Sequence, residues 1–395
     1  MERSLGTLNS STTRRTFLGA AGAAGLAAGA FACAPTASPP SPATGAASQP
    51  SAPAKQAWEQ DWDRLVDAAR QEGKLSIFTV VGAGFRKALD AFQAAFPGIQ
   101  VEHESLSSLS LFLPKLFQER DSGLFARDVA IVAVASMLGA PRDKGVLEPI
   151  PPLVFRPDVL EDKYWQGGFT HGFADAEKKF CYIALEAVNI RFWINTDLIK
   201  DDSLKSVRDL LKPEFKGRVL LPDVRTGSTF VPFAAIRANM GDEVVKQLIV
   251  DQEPVFVRDN GRLLVEQMVR DKFPVTCGIV TAVLQEFHDQ GIGKNLKPID
   301  LPEARNVAGS AALYAITKAP HPNAAKLFIN WFLTQEGQKI WSKGVEENSR
   351  RTDVPPFEPS WSPIPGAKYF AGNREESLKA IADTQRFLIQ LVASR

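Results

Sequence analysis

Asp223-Val224-Arg225-Thr226-Gly227-Ser228-Thr229 places a guanidinium, hydroxyl donors and a flexible glycine immediately ahead of a helical stretch. Unpaired N–H groups at a helix start, backed by the helix dipole, suit an anion. Arg225 can add a bidentate contact to a carboxylate or phosphonate. A Ser or Thr N-cap satisfies the same N–H groups without any ligand, so both readings fit these residues. Other reactive side chains are sparse. The four histidines (His103, His171, His288, His321) stand far apart, and three cysteines are too few for a disulfide framework or a cysteine-built zinc site. No metal and no cofactor is expected. No Ser-His-Asp or Cys-His pattern appears, and Cys277 has no histidine near it in sequence, so the residues point away from an enzyme. Cys181 and Cys277 can bridge in an oxidising compartment, although free cysteine is often buried as a small hydrophobe.

One competitor needs weighing. Val80-Val81-Gly82-Ala83-Gly84-Phe85-Arg86-Lys87 follows a strand-like run and opens a helix, and Glu102 and Glu104 lie downstream. That order resembles a dinucleotide fingerprint and raises the alternative of an exported NAD(P)-dependent oxidoreductase. Lys87 stands where the third glycine belongs, and close helix–strand packing needs a small residue there.

These residues must be held by a scaffold, and composition bounds it. The chain has 395 residues, 45% hydrophobic and 23% charged, with a formal net charge of +1. That balance suits a globular protein, and it removes the electrostatic case for binding nucleic acid, which needs a basic footprint. Single cores stop growing near ~250–300 residues, so two lobes are expected. Helix, strand and helix signals alternate from Trp58 onward. Lys74–Val81 reads as a buried strand, Phe85, Leu89, Phe92 and Phe96 mark one face of a helix, and Ile99–Glu104 and Asp128–Ala135 are further strands. A second cycle runs from Lys179 through strands at Arg218–Leu221, Val255–Arg258 and Pro274–Val280. Asn306–Thr317 reads as one long strand, Leu327, Phe328, Trp331 and Phe332 mark a buried helix face, and Glu375–Ala393 is a last helix burying Leu378, Ile381, Leu388 and Val392. The alternation predicts an α/β fold of mostly parallel sheets flanked by helices.

The first residues stand apart. Thr13-Arg14-Arg15-Thr16-Phe17-Leu18 resembles a twin-arginine export motif, ahead of an Ala- and Gly-rich run that is too short and weakly apolar to span a membrane. Cys33, after Ala30-Phe31-Ala32, resembles a bacterial lipobox cysteine; simple cleavage after Ala32 is the other reading. Ala34–Lys55 is almost entirely Pro, Ser, Ala and Thr, a flexible spacer. The expectation is an export signal over 1–32, and a lipidated Cys33 with spacer over 33–56.

Three segments carry a wider resemblance: Ala91-Phe92-Gln93-Ala94-Ala95-Phe96-Pro97-Gly98-Ile99-Gln100-Val101, Val207–Val219 (VRDLLKPEFKGRV) and Ala319–Gln338 (APHPNAAKLFINWFLTQEGQ). In this order they resemble the extracellular solute-binding proteins of ABC importers, nearest the ferric-iron and small-organic-ion branch. The resemblance implies the two-lobed type 2 periplasmic-binding fold, with 57–183 and 307–395 as lobe 1, 184–306 as lobe 2, and crossover strands between them. It also implies a small-molecule ligand, an ABC permease as partner, an extracytoplasmic location and no catalysis; a monomer is expected.

In open α/β sheets ligands bind beyond the carboxyl ends of the strands. That rule selects Gly82 and Ala83, Ala135 and Ser136, Arg225 with Thr226, Gly227, Ser228 and Thr229, Asn260 and Arg262, and Thr281. Glu186 and Asn189, near the first crossover, are candidates with an equal structural reading, and Arg350-Arg351 reads as a solvated basic pair. Ferric members of the resembled branch place adjacent tyrosines after the last strand of lobe 2. Gly278–Leu284 holds none, and the four tyrosines (Tyr164, Tyr182, Tyr314, Tyr369) are unpaired in sequence. A hard, highly charged cation wants such oxygens. An organic anion or zwitterion is therefore expected, with ferric ion as the alternative.

Overall fold

The computed structural model of the protein describes residues 55–395 except 81, 107–108, 190–191, 201, 226–229, 259–260, 271, 280 and 309–310. The expected export signal, Cys33 and the spacer as far as Ala54 lie outside the described residues.

Helix α1 (Ala57–Glu72) starts at a reciprocal cap between Gln56 and Glu59 and stops at Gly73, whose φ of 69° a side chain would resist. Then follow β1 (Lys74–Val80), α2 (Ala83–Ala95), β2 (Gln100–Leu106), α3 (Leu109–Asp121), β3 (Val129–Val132) and β4 (Leu147–Glu148). The chain leaves along β5 (Ala187–Asn189) and builds β6 (Phe192–Asn195), β7 (Val219–Pro222), α4 (Phe230–Met240), β8 (Val255–Val257), α5 (Gly261–Val269), β9 (Val275–Cys277), α6 (Thr281–Asp289) and β10 (Leu296–Ile299). It returns along β11 (Asn306–Ala308) into β12 (Ala312–Ile316), α7 (Pro322–Phe332), α8 (Gln335–Val345) and α9 (Glu375–Ala393).

Two five-stranded sheets result, ordered β2-β1-β3-β12-β4 and β10-β6-β9-β7-β8, with β5 and β11 paired antiparallel between them in sequence. Each sheet is mixed. β1 runs parallel to β2 and β3, and β7 parallel to β8 and β9, whereas β12, β6 and β10 pair antiparallel. The central strands are covered on both faces, so β3 and β12 are buried along their whole length and read as continuous apolar runs. Asn306–Thr317 is not one strand. Its first part pairs with β5 and its second with β3, in different sheets.

The first core centres on Phe92, whose ring lies 5.0 Å from Phe96 and 5.2 Å from both Phe328 and Trp331. Helix α2 approaches α8 so closely that a Cβ on Gly84 would sit 1.8 Å from the Gly344 carbonyl oxygen. Gly84 thus has a packing role, which accounts for this part of the dinucleotide-like pattern. The motif residue Asn330 is buried in the same region. Its amide takes the Phe155 N–H and donates to the Leu153 and Lys326 carbonyls, holding the loop beneath α7.

Two expectations are corrected. Arg350 and Arg351 are not solvated: they are 1% and 2% exposed. Arg351 holds Asp353 through both nitrogens at 2.8 Å, and Arg350 donates to the Ile183 and Gln166 carbonyls. Desolvating a guanidinium is tolerated only where its donors are taken up, as here. The last helix does not belong to lobe 1 alone. Glu375, at its start, pairs with Arg142 at 2.5 Å, but Leu388 is fully buried with Phe233 and Ile236 in the second sheet's core. Leu378, Ile381 and Val392 are half-buried. Cys181 and Cys277 are buried in different halves and are not bridged to one another.

Candidate functional site

The charged groups found at the carboxyl ends of the parallel strands lie in the second sheet. The Asp223 N–H bonds the Val257 carbonyl at 2.8 Å, which ties the end of β7 to the end of β8. The Asp223 carboxylate is buried, and it accepts from the Arg225 backbone N–H (2.9 Å), Nε (2.8 Å) and Nη2 (2.5 Å). These hydrogen bonds hold the carboxyl below its ordinary range against the opposing effect of burial, and the nearby Arg258 charge acts in the same direction. The Arg225 side chain remains half exposed, at 53%. One edge of its fork is anchored while the other faces outward.

Arg258 follows β8 directly and is exposed; among the described residues it has no hydrogen-bond or ion-pair partner. Sequence reasoning passed over it by assigning it to the strand. The signal was available, because the strand-end rule that selected Asn260 and Arg262 applies equally to the residue that ends the strand.

The remaining candidates divide. Gly82 and Ala83 are exposed at the start of α2, and Ala135 (exposed) and Ser136 (half-buried) lie on the single-turn helix Val134–Met137 after β3. All four are uncharged. Arg262 is drawn sideways: it bonds Glu286 at 2.7 Å, lies 3.4 Å from Glu266 and covers the Phe287 ring, so it joins α5 to α6. Glu186 precedes β5, and its Oε2 lies 3.3 Å from Arg350 and 3.2 Å from Arg374. Arg374 also donates to the His171 and Phe173 carbonyls. Burial, reinforced by Arg374 and Arg350, pushes the His171 imidazole below its ordinary pKa. Asn189 pairs with Asn306 in the crossover ladder. Thr226, Gly227, Ser228, Thr229 and Asn260 lie outside the described residues, as does the side chain of Thr281.

The tyrosines are elsewhere. Tyr182 and Tyr314 are fully buried in the first half, their phenols pushed upward by desolvation. Tyr164 lies beneath Arg351, and the Tyr369 hydroxyl accepts the Ile364 N–H at 3.0 Å. Tyr314 also accepts from Cys181, whose thiol burial pushes up to about 12, so that sulfur is inert. No group of three or more His, Cys, Asp or Glu side chains placed to hold a metal ion occurs among the described residues. Surface depressions of ≈ 290 and ≈ 460 Å³ lie on the helices of the first half, against Lys339 and Phe357 and against Arg64 and Phe155. Neither touches the strand ends. No helix among the described residues is long and apolar enough to cross a membrane.

Known proteins share this architecture. Iron-bound HitA from Pseudomonas aeruginosa superposes with a TM-score of 0.58 at 16% identity, over 80% of this chain and 99% of that one. PotD, the spermidine/putrescine ABC transporter substrate-binding protein of Streptococcus pneumoniae, gives 0.59 at 16% identity, over 81% and 99%. The ferric binding protein from Campylobacter jejuni gives 0.59 at 18% identity, over 81% and 98%. At such identities the likeness establishes the two-lobed periplasmic-binding fold. No curated protein sequence matches the chain. The sequence pattern of the family described as bacterial extracellular solute-binding protein matches residues 76–339, most of the described chain. That match spans both sheets and all three resemblance segments, and it places the chain in the bacterial extracellular solute-binding proteins, the substrate receptors of ABC importers.

Proposed function

We propose that this protein captures an organic anion or zwitterion between its lobes and delivers it to an ABC permease, without catalysis. The observation that carries the reading is Arg225. A buried carboxylate holds it in place, yet half of its side chain is exposed beyond a strand end. A pre-positioned guanidinium costs little further ordering when it meets an oxyanion. The candidate ligand set is Arg225 with Thr226, Gly227, Ser228 and Thr229, faced by Gly82, Ala83, Ala135 and Ser136, with Asn260, Arg262 and Thr281 at neighbouring strand ends. Glu186 belongs to this proposal as a positioning group, since two arginines already occupy its oxygen. A twin-arginine-like signal over 1–32, acylation at Cys33 and a spacer to 56 complete the reading as a monomeric receptor tethered outside the cytoplasmic membrane.

Ferric ion is the second reading, favoured by the fold shared with iron-bound HitA. The burial of Tyr182 and Tyr314 and the lack of tyrosine in Gly278–Leu284 weigh against it. The test is titration of the purified protein with a panel of organic anions, amino acids and ferric citrate. Arg225→Ala should weaken the best organic ligand by roughly ten- to a hundredfold, the loss of one charge-assisted contact. A tight ferric complex with a visible charge-transfer band would overturn the anion reading; an unchanged Arg225→Ala affinity would reduce the loop to a capped helix start.

A further inference from the structure

We propose that Arg258 is a second ligand-binding cation and that, with Arg225, it restricts the solute to one of net negative charge. The inference rests on the anion-or-zwitterion reading and narrows it. β7 and β8 are adjacent and parallel, with Pro222 opposite Val257, so the residues that follow them emerge side by side. Asp223 and Arg225 follow one strand and Arg258 the other. Arg258 lies close enough to Asp223 to act on its charge. Among the described residues, two guanidiniums therefore accompany one carboxylate at these strand ends, one positive charge in excess.

Among the described residues, the carboxylates named above already have partners. Both Asp223 oxygens take Arg225, Glu186 takes Arg350 and Arg374, and Glu266 and Glu286 take Arg262. None of these is left to receive the ammonium of a zwitterion, and a buried ammonium without a partner is costly. Arg258, in contrast, presents its whole planar fork with no protein partner among the described residues. The free edge of Arg225 and the fork of Arg258 together match an oxyanion, whether carboxylate or phosphoryl.

The experiment uses the purified full chain with three probes: acetate, methyl phosphate and spermidine. Each is followed by thermal shift and calorimetry against chloride at matched ionic strength. In the wild type one oxyanion should raise the melting temperature, and spermidine should not; which oxyanion does so separates carboxylate from phosphoryl. Arg258→Gln should weaken that oxyanion about tenfold or more, while Arg258→Lys, which keeps the charge but loses the fork, should weaken it less. Because Arg258 is exposed, both variants should melt as the wild type does without probe. If Arg258→Gln binds as the wild type while Arg225→Gln is weakened, the inference is wrong and the anion reading stands. If spermidine shifts the protein and neither oxyanion does, both are wrong. No shift with any probe also overturns the role given to Arg258.

Discussion

Single residues here are decided by their partners more than by their type. Arg350-Arg351 and Arg225 look alike in sequence, yet the first two are buried and consumed by carbonyls and carboxylates while the third stays half exposed. No local pattern announces this, because Gln166, Ile183 and Glu186 lie far from Arg350 along the chain. Asp209 is decided by a capping box with Ser206. Its carboxylate accepts from the backbone N–H groups of Lys205 and Ser206 and pairs with Lys212 at 2.9 Å. The Lys212 hydrogen bond, followed by the backbone donors, lowers its pKa from 3.8 to about 2. A depressed carboxylate stabilises the fold above its unfolded value, and that contribution is lost as pH falls through its folded one. The difference in urea midpoint between wild type and Asp209→Asn should therefore be constant above pH 5 and shrink between about pH 4 and 2. A difference independent of pH over that window would mean the carboxylate charge does not matter.

At the scale of elements, most of the fold was legible, because strands buried on both faces and one-sided helices leave strong patterns. The α2 face of Phe85, Leu89 and Phe92 and the α7 face of Leu327, Phe328, Trp331 and Phe332 are buried as their spacing requires. The division of Asn306–Thr317 was not legible. Both halves are apolar, and only pairing with β5 or β3 separates them. The last helix likewise shows an apolar stripe in sequence without showing whose core it fills. Glycines divide in the same way: Gly73 is legible as a helix stop, whereas the packing role of Gly84 needs α8 in view. Ala at position 84 gains roughly 1 kcal/mol of helix propensity but meets a backbone oxygen, and overpacking of that kind costs about 1–3 kcal/mol. Gly84→Ala should be destabilising in denaturant melts. Gly344→Ala, whose Cβ would lie a looser 3.1 Å from its nearest neighbour, should be milder. The reverse order would mean that the helices part easily.

For the whole molecule, two lobes follow from chain length and α/β alternation, and the family match confirms the class of receptor. The solute was not legible to the same degree. Its specificity depends on side chains that meet only after five strands have been ordered into each sheet. The placement of α9 changes how the halves are joined. Glu375 fastens its start beside Arg142 and Leu388 seats its far end against Phe233, so a third connection accompanies the β5 and β11 crossovers. Closure of the kind that solute receptors use must carry this helix or flex it.

The two buried thiols have a further consequence. Cys181 lies in one half and Cys277 in the other, not bridged to one another and with no exposed surface. Each is therefore a natural clock for the opening of its own half, read by how fast a thiol reagent reaches it. In Cys33→Ser protein, equal labelling rates at the two sites would show the molecule opening as one cooperative body. Unequal rates would resolve two foldons, and a solute that bridges the lobes should slow the faster site more than the slower one.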